Sequence, residues 1–421
     1  MFARWQAIPL WGRVALGFAL GLAIGLLLGP QGLLHPLFSD LSAMKLLGDL
    51  FIRLIKMLVV PLIFFSLVSG VLAMGDTSRM GRIGAKTLAL YLFNMSLATS
   101  FGLLFANLFR PGVGVDPSAV AGAAVKVGEA PTLKGILINV IPTNPVAALA
   151  NGDALQIIFF ALVTGFAINT IGEKGAPLRP LFDAGSQTVY KITQWVMEVA
   201  PVGVFGLIGW VAGTFGWKAL GGLIMLVVTL YVAGIVHMTV LSGLHIGLIA
   251  RLNIARFFAG IKDAMLVAYS TSTSAGTLPV TMACAERNLG ISKPVASFVL
   301  PLGATMNMDG TACYLGIVAV FTAQAVGVEL SVDQYLIIVV TSVLSAIGAA
   351  AVPSASLVLM PIVLSAVGLP IEAVALIAGI DRIMDMMRTV ANITGDAIVA
   401  TVVAKTEGEL NRTVFDHRPV V

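Results

Sequence analysis

Long apolar stretches that do not alternate with polar positions run along most of the chain. The first covers about residues 11–28, and seven more lie at 44–74, 82–109, 135–171, 181–213, 219–250, 294–325 and 372–405. About 20 apolar residues in a helix cross a bilayer, so these stretches are typical of transmembrane helices. Many are longer than a perpendicular crossing needs, which predicts that they tilt, bend or break. We therefore predict an all-α membrane protein with eight transmembrane helices.

Two further apolar stretches, 255–290 and 332–369, are interrupted halfway by short polar or proline-containing sequences. The first has basic residues at both ends, Arg251, Arg256 and Lys262 before it and Arg287 and Lys293 after it. By the positive-inside rule both ends are cytoplasmic, so this stretch enters and leaves the membrane by the same face. The second is flanked by acidic residues instead, as expected for a stretch that dips in from outside: Glu329, Asp333 and Glu372.

The two interrupted stretches predict re-entrant helical hairpins of opposite orientation, each followed by a long helix, in inverted repeats. Broken segments at matching positions of two halves indicate the binding site of a secondary transporter. Two ordinary pairs of spanning helices are the alternative. The tip of the first hairpin, Ser270–Ser274, is a run of hydroxyl residues whose amides and hydroxyls suit an anionic group. Small residues around Pro353 form the tip of the second, which can act as a lid.

The composition agrees with a lipid environment. Of the 421 residues, 58% are hydrophobic and 11% are charged. Soluble domains carry about 25% charged residues, so this chain is not a cytosolic enzyme, a disordered protein or a nucleic-acid binder. Basic residues at the ends of predicted spans, among them Arg13, Arg82, Lys174 and Lys405, predict a multi-pass protein of the plasma (inner) membrane with both termini in the cytoplasm.

Polar residues share one face of the last predicted helix. Asp385, Arg388, Thr389, Asn392 and Asp396 stand at i, i+3, i+4, i+7 and i+11, within an arc of roughly 100°. An ion at the bilayer centre costs about 2.5–3.5 kcal/mol, so these side chains face the protein interior. They form either a structural ladder of ion pairs or, as we favour, a site for a charged solute and ions.

A second polar stretch, 303–311, reads Gly-Ala-Thr-Met-Asn-Met-Asp-Gly-Thr. Asn307, Asp309 and Thr311 alternate, so a continuous helix would not bring them to one face. An unwound segment would offer carbonyl and side-chain oxygens, the ligands that hard cations prefer, and irregular backbone is tolerated in the membrane where it lines a cavity. A glycine kink with an outward-reaching aspartate is the alternative.

The histidines and serines give no support to an enzyme. His237 and His245 are eight residues apart on a predicted helix, and we expect both to have hydrogen-bond partners and no metal. Ser274 and His245 could form a hydrolytic pair, but no third group is present to orient the histidine.

Three motifs in this order resemble those of the dicarboxylate/amino acid:cation symporters, the family of glutamate and aspartate transporters. They are Ser-Ala-Gly-Thr-Leu-Pro at 274–279, Asn-Met-Asp-Gly-Thr at 307–311 and Asp-Met-Met-Arg-Thr-Val-Ala-Asn-Ile-Thr-Gly-Asp at 385–396. The resemblance implies a homotrimer of elevator-type transporters. A static scaffold would comprise 1–78 and 113–217, the latter including the trimer contacts. A sliding transport domain would comprise 79–112 and 218–410, and 411–421 would be a cytoplasmic tail.

The resemblance also implies residue roles. Asp385 would bind the amino group of the substrate and Arg388 its side-chain carboxylate. The other substrate-binding residues would be Thr311, Asn392, Thr389, Thr273 and Ser274 in the pocket, with Val352 and Ser356 closing over it. One sodium site would use Gly303, Asn307, Asn392 and Asp396. A second would use carbonyls of Thr305, Ala346, Ile347 and Ala349 beside Met308, and a third Asp309, Asn307 and Tyr91.

Three departures from the family pattern bear on these roles. Asn94 and Met95 stand where many members have Thr and Ser, which leaves the third sodium open. Ala349 replaces a frequent Thr, with a mild effect because carbonyls are the ligands there. The first hairpin tip carries no Arg, and we hypothesise that Arg382 supplies this charge from the last helix.

An Asp opposite an Arg matches a substrate with both an ammonium and a distal carboxylate. We therefore expect an acidic amino acid, glutamate or aspartate, carried with sodium. A C4-dicarboxylate would leave Asp385 facing an anion, and a neutral amino acid would leave Arg388 unpaired. Proton coupling is the main alternative for the ion. A channel is less favoured, because the polar groups cluster at mid-membrane and do not form a continuous path.

Overall fold

The computed structural model describes residues 10–29, 41–72, 78–115, 138, 141–215, 217–347, 349 and 354–417, and the rest of this description concerns those residues. Their regular structure is helical, and an isolated bridge between Ile291 and Leu410 is the β-type contact among them. The predicted all-α class is therefore what the described chain has.

The first half of the chain contains α1 (Leu10–Leu28), α2 (Ser42–Leu72), α3 (Ser78–Phe109), α4 (Pro145–Asn151), α5 (Ala154–Thr170), α6 (Leu178–Glu198) and α7 (Ala200–Phe215). The second half contains α8 (Trp217–Ser242), α9 (Ile254–Thr271), α10 (Ser274–Arg287), α11 (Lys293–Met306), α12 (Asp309–Ala325), α13 (Val332–Ile347), α14 (Ser356–Ala366), α15 (Ala373–Ala378), α16 (Asp381–Thr406) and α17 (Arg412–Asp416). A π-helical turn, Gly243–Ile249, extends α8.

Several predicted spans are broken. The predicted span 181–213 is divided at Val199, just before Pro201, into α6 and α7. The span 294–325 is divided at Asn307 and Met308, and the span 372–405 at Gly379 and Ile380. Two described stretches, Arg82–Phe109 and Gly221–Ile249, are long and apolar enough to cross a membrane in one piece.

The helices pack in two groups. In the first, α1 lies along α7, and α2 contacts α5, α6 and α7. In the second, α12 and α16 form the centre, and both contact α3 and α8. α14 packs on α12, while α9, α10 and α11 surround α16. The groups meet where α14 packs on α2 and α5 and where α15 packs on α7.

Glycines allow the close approach of α1 to α7. A methyl group at Gly21 would lie 2.4 Å from the carbonyl oxygen of Phe205, and one at Gly25 would lie 2.2 Å from that of Gly209. Small residues at four-residue spacing let membrane helices pack backbone to backbone, so this seam is built into the sequence of α1.

Each interrupted stretch forms a pair of helices that pack on each other. α9 and α10 are joined through Ser272 and Thr273, and α13 and α14 are joined by a segment of which Ala349, Ser354 and Ala355 are described. A serine in each connection adopts a positive φ, 52° at Ser272 and 58° at Ser354. The left-handed conformation is uncommon outside glycine and reverses the chain sharply at both tips.

The end of the chain is tied back to the second group. The carboxylate of Glu407, which follows α16, accepts hydrogen bonds from Arg82 (2.7 Å from Nη2) and from Lys86 on α3. The paired cations lower the pKa of Glu407 from its usual 4.5 to about 2. Beyond it, Asn411 donates its amide to the carbonyl of Gly290 (2.7 Å), and Phe415 on α17 is buried.

Candidate functional site

A pocket lies where the two hairpin tips meet α16 and the break between α11 and α12. It is lined by Ser272, Thr273, Ser274, Met308, Thr311, Ala349, Ala355, Ser356, Asp385, Thr389 and Asn392. Thr273, Ser274, Thr311, Ser356, Asp385, Thr389 and Asn392 come from the predicted substrate set, and Met308 and Ala349 from the predicted ion set. Val352 lies outside the described residues. Ser272 and Ala355 belong to the two predicted hairpin tips, although neither was assigned a binding role of its own.

The first hairpin tip presents the start of a helix to the pocket. Ser272 ends α9, and Thr273 caps α10 by accepting a hydrogen bond from the amide of Gly276 at 3.2 Å. The first amides of a helix have no partner within it, and the helix dipole favours negative charge there. The hydroxyls of Thr273 and Ser274 add donors, so this wall of the pocket suits a carboxylate.

Asp385 is the acidic group of the pocket, and its two oxygens have different partners. Oδ2 accepts a hydrogen bond from the amide of Ser354, at the tip of the second hairpin, at 2.7 Å. Oδ1 accepts from Nη2 of Arg388, also at 2.7 Å. The second tip is thus attached to the carboxylate that we expect to receive the ammonium of a substrate.

Arg388 lies behind the pocket and is not part of its lining. Its guanidinium is 1% exposed, donates to Asp381 at 2.7 Å as well as to Asp385, and lies 4.2 Å from the ring centre of Tyr314. Neither Asp381 nor Tyr314 was assigned a binding role from the sequence, although Asp381 belongs to the charged positions of the last predicted helix. Asp381 stands seven residues before Arg388, two helical turns away on the same face, so the spacing could have indicated it.

Arg382 connects the first hairpin tip to the pocket. Its Nη2 donates to the carbonyl of Thr271 at 3.2 Å, and its Nη1 lies 3.8 Å from Oδ2 of Asp385. The hypothesis that Arg382 brings a positive charge to this tip therefore has the required geometry, and its effect on substrate affinity stays a prediction.

A second polar region surrounds Asp396. Asn307, in the break, donates Nδ2 to Oδ1 of Asp396 at 3.0 Å. A methyl group at Gly303 would lie 2.4 Å from this oxygen and 2.6 Å from the hydroxyl of Tyr91, so a glycine is needed there. The hydroxyl of Tyr91 donates to the carbonyl of Val299 at 2.8 Å. The structure thus brings together residues that were predicted for the first and third ion sites.

Asn392 links the two regions. Its Oδ1 accepts a hydrogen bond from the amide of Gly310 at 2.8 Å, and its Nδ2 lies 3.1 Å from the sulfur of Met308. Met308 is in the break, and Gly310 is at the start of α12. Asn392 therefore holds the irregular segment against α16, and its oxygen is engaged by a backbone amide.

Residues of the second predicted ion set lie where α11 packs on α13. Ala346 and Ile347 end α13, and Ala349 follows and donates its amide to the carbonyl of Ala346 at 3.2 Å. Thr305 lies near the end of α11 and bonds its hydroxyl to the carbonyl of Leu302 at 2.9 Å. Met308 and Ala349 both reach the pocket, so this set adjoins the substrate residues.

Asp309 and Asp396 are buried carboxylates that have no Lys or Arg partner in the described part of the chain. Among the described residues no Lys or Arg lies within the 4.0 Å of an ion pair from either one, and both oxygens of Asp309 have no hydrogen-bond partner. The nearest group to Asp309 that could carry a positive charge is His237, at 3.5 Å. Burying an unpaired carboxylate is costly, so each needs a bound cation or a proton. Oxygen-rich surroundings of this kind fit sodium.

The expectation that His237 has hydrogen-bond partners is wrong. Neither of its ring nitrogens has a hydrogen-bond partner among the described residues, although the residue is buried. His245 does have a partner, since its Nδ1 lies 3.2 Å from the carbonyl of Leu241. Apolar neighbours in the sequence of α8 gave no sign that His237 would face a carboxylate from α12.

Comparison with known proteins identifies the family. The profile of the Sodium:dicarboxylate symporter family matches residues 10–406. The chain belongs to the sodium:dicarboxylate symporter family. Members of this family are membrane transporters and not enzymes, so the resemblance drawn from the three motifs is confirmed.

Curated relatives differ in what they are named for. A proton/sodium-glutamate symport protein of Geobacillus stearothermophilus is 36% identical, over 87% of this chain and 88% of its own. A C4-dicarboxylate transport protein of Rhodospirillum rubrum is 37% identical, over 90% and 86%. A proton/glutamate-aspartate symporter of Escherichia coli is 37% identical, over 87% and 85%. The family thus includes two substrate classes and two coupling ions.

Proposed function

We propose that this chain is a secondary active symporter that takes up the acidic amino acids glutamate and aspartate together with sodium ions. The observation that carries the proposal is the carboxylate of Asp385, which lines the pocket between the two hairpin tips with the guanidinium of Arg388 directly behind it. One group suits an ammonium and the other a carboxylate, and an acidic amino acid carries both.

The substrate would exchange contacts with groups that are now paired with each other. Its main carboxylate would lie at the start of α10, against Thr273 and Ser274. Its ammonium would take the place of the Ser354 amide at Asp385, and its distal carboxylate would replace an aspartate oxygen at Arg388. Because a planar guanidinium binds carboxylates through two parallel hydrogen bonds, this exchange selects for a second carboxylate.

The charges around the pocket support cation coupling. Asp381, Asp385, Arg382 and Arg388 balance one another, so a substrate with a net negative charge leaves an excess. Asp309 and Asp396 add two more buried carboxylates that have no Lys or Arg partner among the described residues. Sodium ions would neutralise them. A tenfold gradient and a potential of 100 mV together make each sodium worth about 3–4 kcal/mol of uphill transport.

A C4-dicarboxylate is the second candidate substrate. Asp385 is already neutralised by Arg388 and approached by Arg382 at 3.8 Å, so its charge does not by itself require an ammonium. The relative from Rhodospirillum rubrum, which is named for C4-dicarboxylates, is 37% identical, the same as the glutamate-aspartate symporter of Escherichia coli. Proton coupling is the second candidate for the ion, with Asp309 or Asp396 as the group that is neutralised.

We further propose that transport occurs by an elevator movement within a homotrimer, as the family resemblance implies. The packing of the helices in two groups supports a scaffold and a transport domain with the predicted bounds. The second hairpin packs against the scaffold helices α2 and α5, whereas Ser270 and Thr271 at the first tip are exposed. We therefore propose that the substrate site is reached from the cytoplasm in this arrangement.

Equilibrium binding to the purified full-length protein tests the proposed substrate. In saturating sodium we expect labelled L-aspartate to bind at least about 100-fold more tightly than succinate, and D385N to lose this preference, because breaking a buried charge pair costs about 3 kcal/mol or more. Choline in place of sodium should weaken aspartate binding. Succinate binding as tight as aspartate in the unaltered protein would establish the dicarboxylate candidate instead.

A further inference from the structure

Behind the pocket, α3, α8 and α12 each carry a buried polar side chain that has no hydrogen-bond partner among the described residues. The atoms without a partner are both ring nitrogens of His237, both oxygens of Asp309 and both amide atoms of Asn94, and each residue is at most 1% exposed. An unsatisfied buried polar group costs about 1–3 kcal/mol. A concentration of them therefore indicates a function that is not fulfilled by the protein atoms alone.

His237 points toward Asp309 from α8. Its Nε2 lies 3.5 Å from Oδ2 of Asp309, and its ring packs on that of Phe101 with 6.2 Å between centres. A movement of about 0.5 Å would shorten the first distance to that of an ordinary N–H···O bond. Phe101 is seven residues after Asn94 and so on the same face of α3, which places Asn94 on the face that is turned to α8.

The two oxygens of Asp309 have different surroundings. Oδ2 lies between His237 and the backbone of Gly395, where a methyl group would be only 2.1 Å from it. Oδ1 is buried as well and has no hydrogen-bond partner among the described residues. His237 and Gly395 thus lie against one oxygen of the carboxylate, and the other oxygen is left to ligate an ion.

We propose that His237 is a positioning residue for the coupling cation: it donates Nε2–H to Oδ2 of Asp309 and thereby turns Oδ1 toward the ion. The inference rests on the proposed function, in which Asp309 is a cation ligand. The imidazole acts through the carboxylate because sodium prefers oxygen ligands, whereas imidazole nitrogen suits transition metals. Groups that orient a ligand in this way typically change metal affinity by about 10–100-fold when they are removed.

Sodium titrations of labelled L-aspartate binding test this role in the full-length protein. H237L, which removes the donor, should raise the half-saturating sodium concentration at least about tenfold. H237Q, which keeps an N–H donor at a similar reach, should remain within about threefold of the unaltered protein, as should aspartate affinity at saturating sodium in both variants. T229V is the matched control, since it removes a different buried polar group of α8. The hydroxyl of Thr229 bonds only to the carbonyl of Met225 among the described residues.

A double-mutant cycle separates positioning from packing. If His237 acts through Asp309, H237L should add nothing to the sodium defect of D309N, and additive defects would overturn the proposal. Equal sodium dependence of H237L and H237Q would overturn it as well. Failure of both H237L and H237M to fold, when H237Q and T229V fold, would assign His237 a structural role instead. Absence of sodium-dependent aspartate binding in the unaltered protein would contradict the proposed function itself.

Discussion

Arg388, the proposed partner of the distal carboxylate of the substrate, illustrates how a positive charge can be kept inside a membrane protein. Two carboxylates, Asp381 and Asp385, hold its guanidinium at 2.7 Å each, and the ring of Tyr314 covers one face. This arrangement satisfies the charge when no substrate is bound. It also means that a substrate carboxylate must compete with a protein carboxylate, which favours ligands able to engage Asp385 at the same time.

R388A should reduce the affinity for L-aspartate by at least about 100-fold, because it removes the partner of the distal carboxylate and leaves two buried aspartates unpaired. Binding measured by isothermal titration in saturating sodium checks this. L-alanine, which lacks the distal carboxylate, is the control ligand, and its affinity should change far less. Unaltered aspartate affinity in folded R388A would show that the distal carboxylate binds elsewhere.

The sequence predicted which polar residues of α16 share a face, but it did not predict the ion pairs that Arg388 forms. The i, i+4 and i+7 spacing fixed Asp385, Thr389 and Asn392 to one face of α16, and they do share a pocket. That Arg388 turns away from this face toward Asp381 depends on rotamers and on Tyr314 from another helix. His237 was misjudged for the same reason, since its neighbour Asp309 comes from a distant part of the chain.

The seam of α1 and α7 is a helix contact that depends on glycine. G21A would place a methyl group 2.4 Å from the carbonyl oxygen of Phe205 and force the helices apart. Overpacking of this kind costs about 1–3 kcal/mol, so the melting temperature in detergent should fall by about 1–3 °C.

Gly221 provides the matched control for this substitution. It belongs to α8 and has no atom within 4 Å of an added methyl group. G221A should therefore leave the melting temperature unchanged or raise it, because alanine favours a helix over glycine. Equal losses in G21A and G221A would mean that the seam does not hold α1 in place.

The contact of Glu407 with Arg82 and Lys86 connects the end of α16 to α3. Its carboxylate has a pKa of about 2, below the usual 4.5, so the ion pair is fully formed above about pH 4.5 and is lost as the pH falls toward 2. E407Q should lower the melting temperature by an amount that is constant from pH 5 to 8 and shrinks below pH 4.5. A difference that grows on acidification would contradict this assignment.

Hydropathy located the helices, and polar or proline-containing interruptions indicated some but not all of their breaks. The stretches 44–74 and 82–109 correspond closely to α2 and α3. The break at Asn307 and Met308 was predicted from alternating polar residues, whereas the one at Val199 was not, because an apolar sequence continues through it. Periodicity reports which residues are apolar and contains little about where a buried helix stops.

The two hairpins determine which side of the whole molecule is open. Ser270 at the first tip is exposed, whereas Ser356 at the second is buried in the pocket and α14 lies on α2 and α5. Because both ends of the first hairpin are predicted to be cytoplasmic, we expect its exposed tip to be reached from the cytoplasm. The topology of the membrane crossings and the trimer stay predictions, because they depend on the lipid and on neighbouring subunits.

Cysteine labelling tests this orientation. S270C should react with a membrane-impermeant maleimide in everted vesicles and not in right-side-out vesicles, since residue 270 is exposed and its hairpin is predicted to enter from the cytoplasm. S356C, at the buried tip, is the control and should react slowly from either side in the same state. Both native cysteines are buried, so they add little background. Labelling of S270C from the outside alone would reverse the proposed orientation.

Uptake driven by a sodium gradient would decide whether this chain is a sodium-coupled symporter of acidic amino acids. Purified protein in proteoliposomes would receive labelled L-aspartate with an inward sodium gradient and equal pH on the two sides. We predict that labelled L-aspartate accumulates above its external concentration. This accumulation should disappear when choline replaces sodium. No accumulation under the sodium gradient, with uptake under a proton gradient alone, would contradict this prediction.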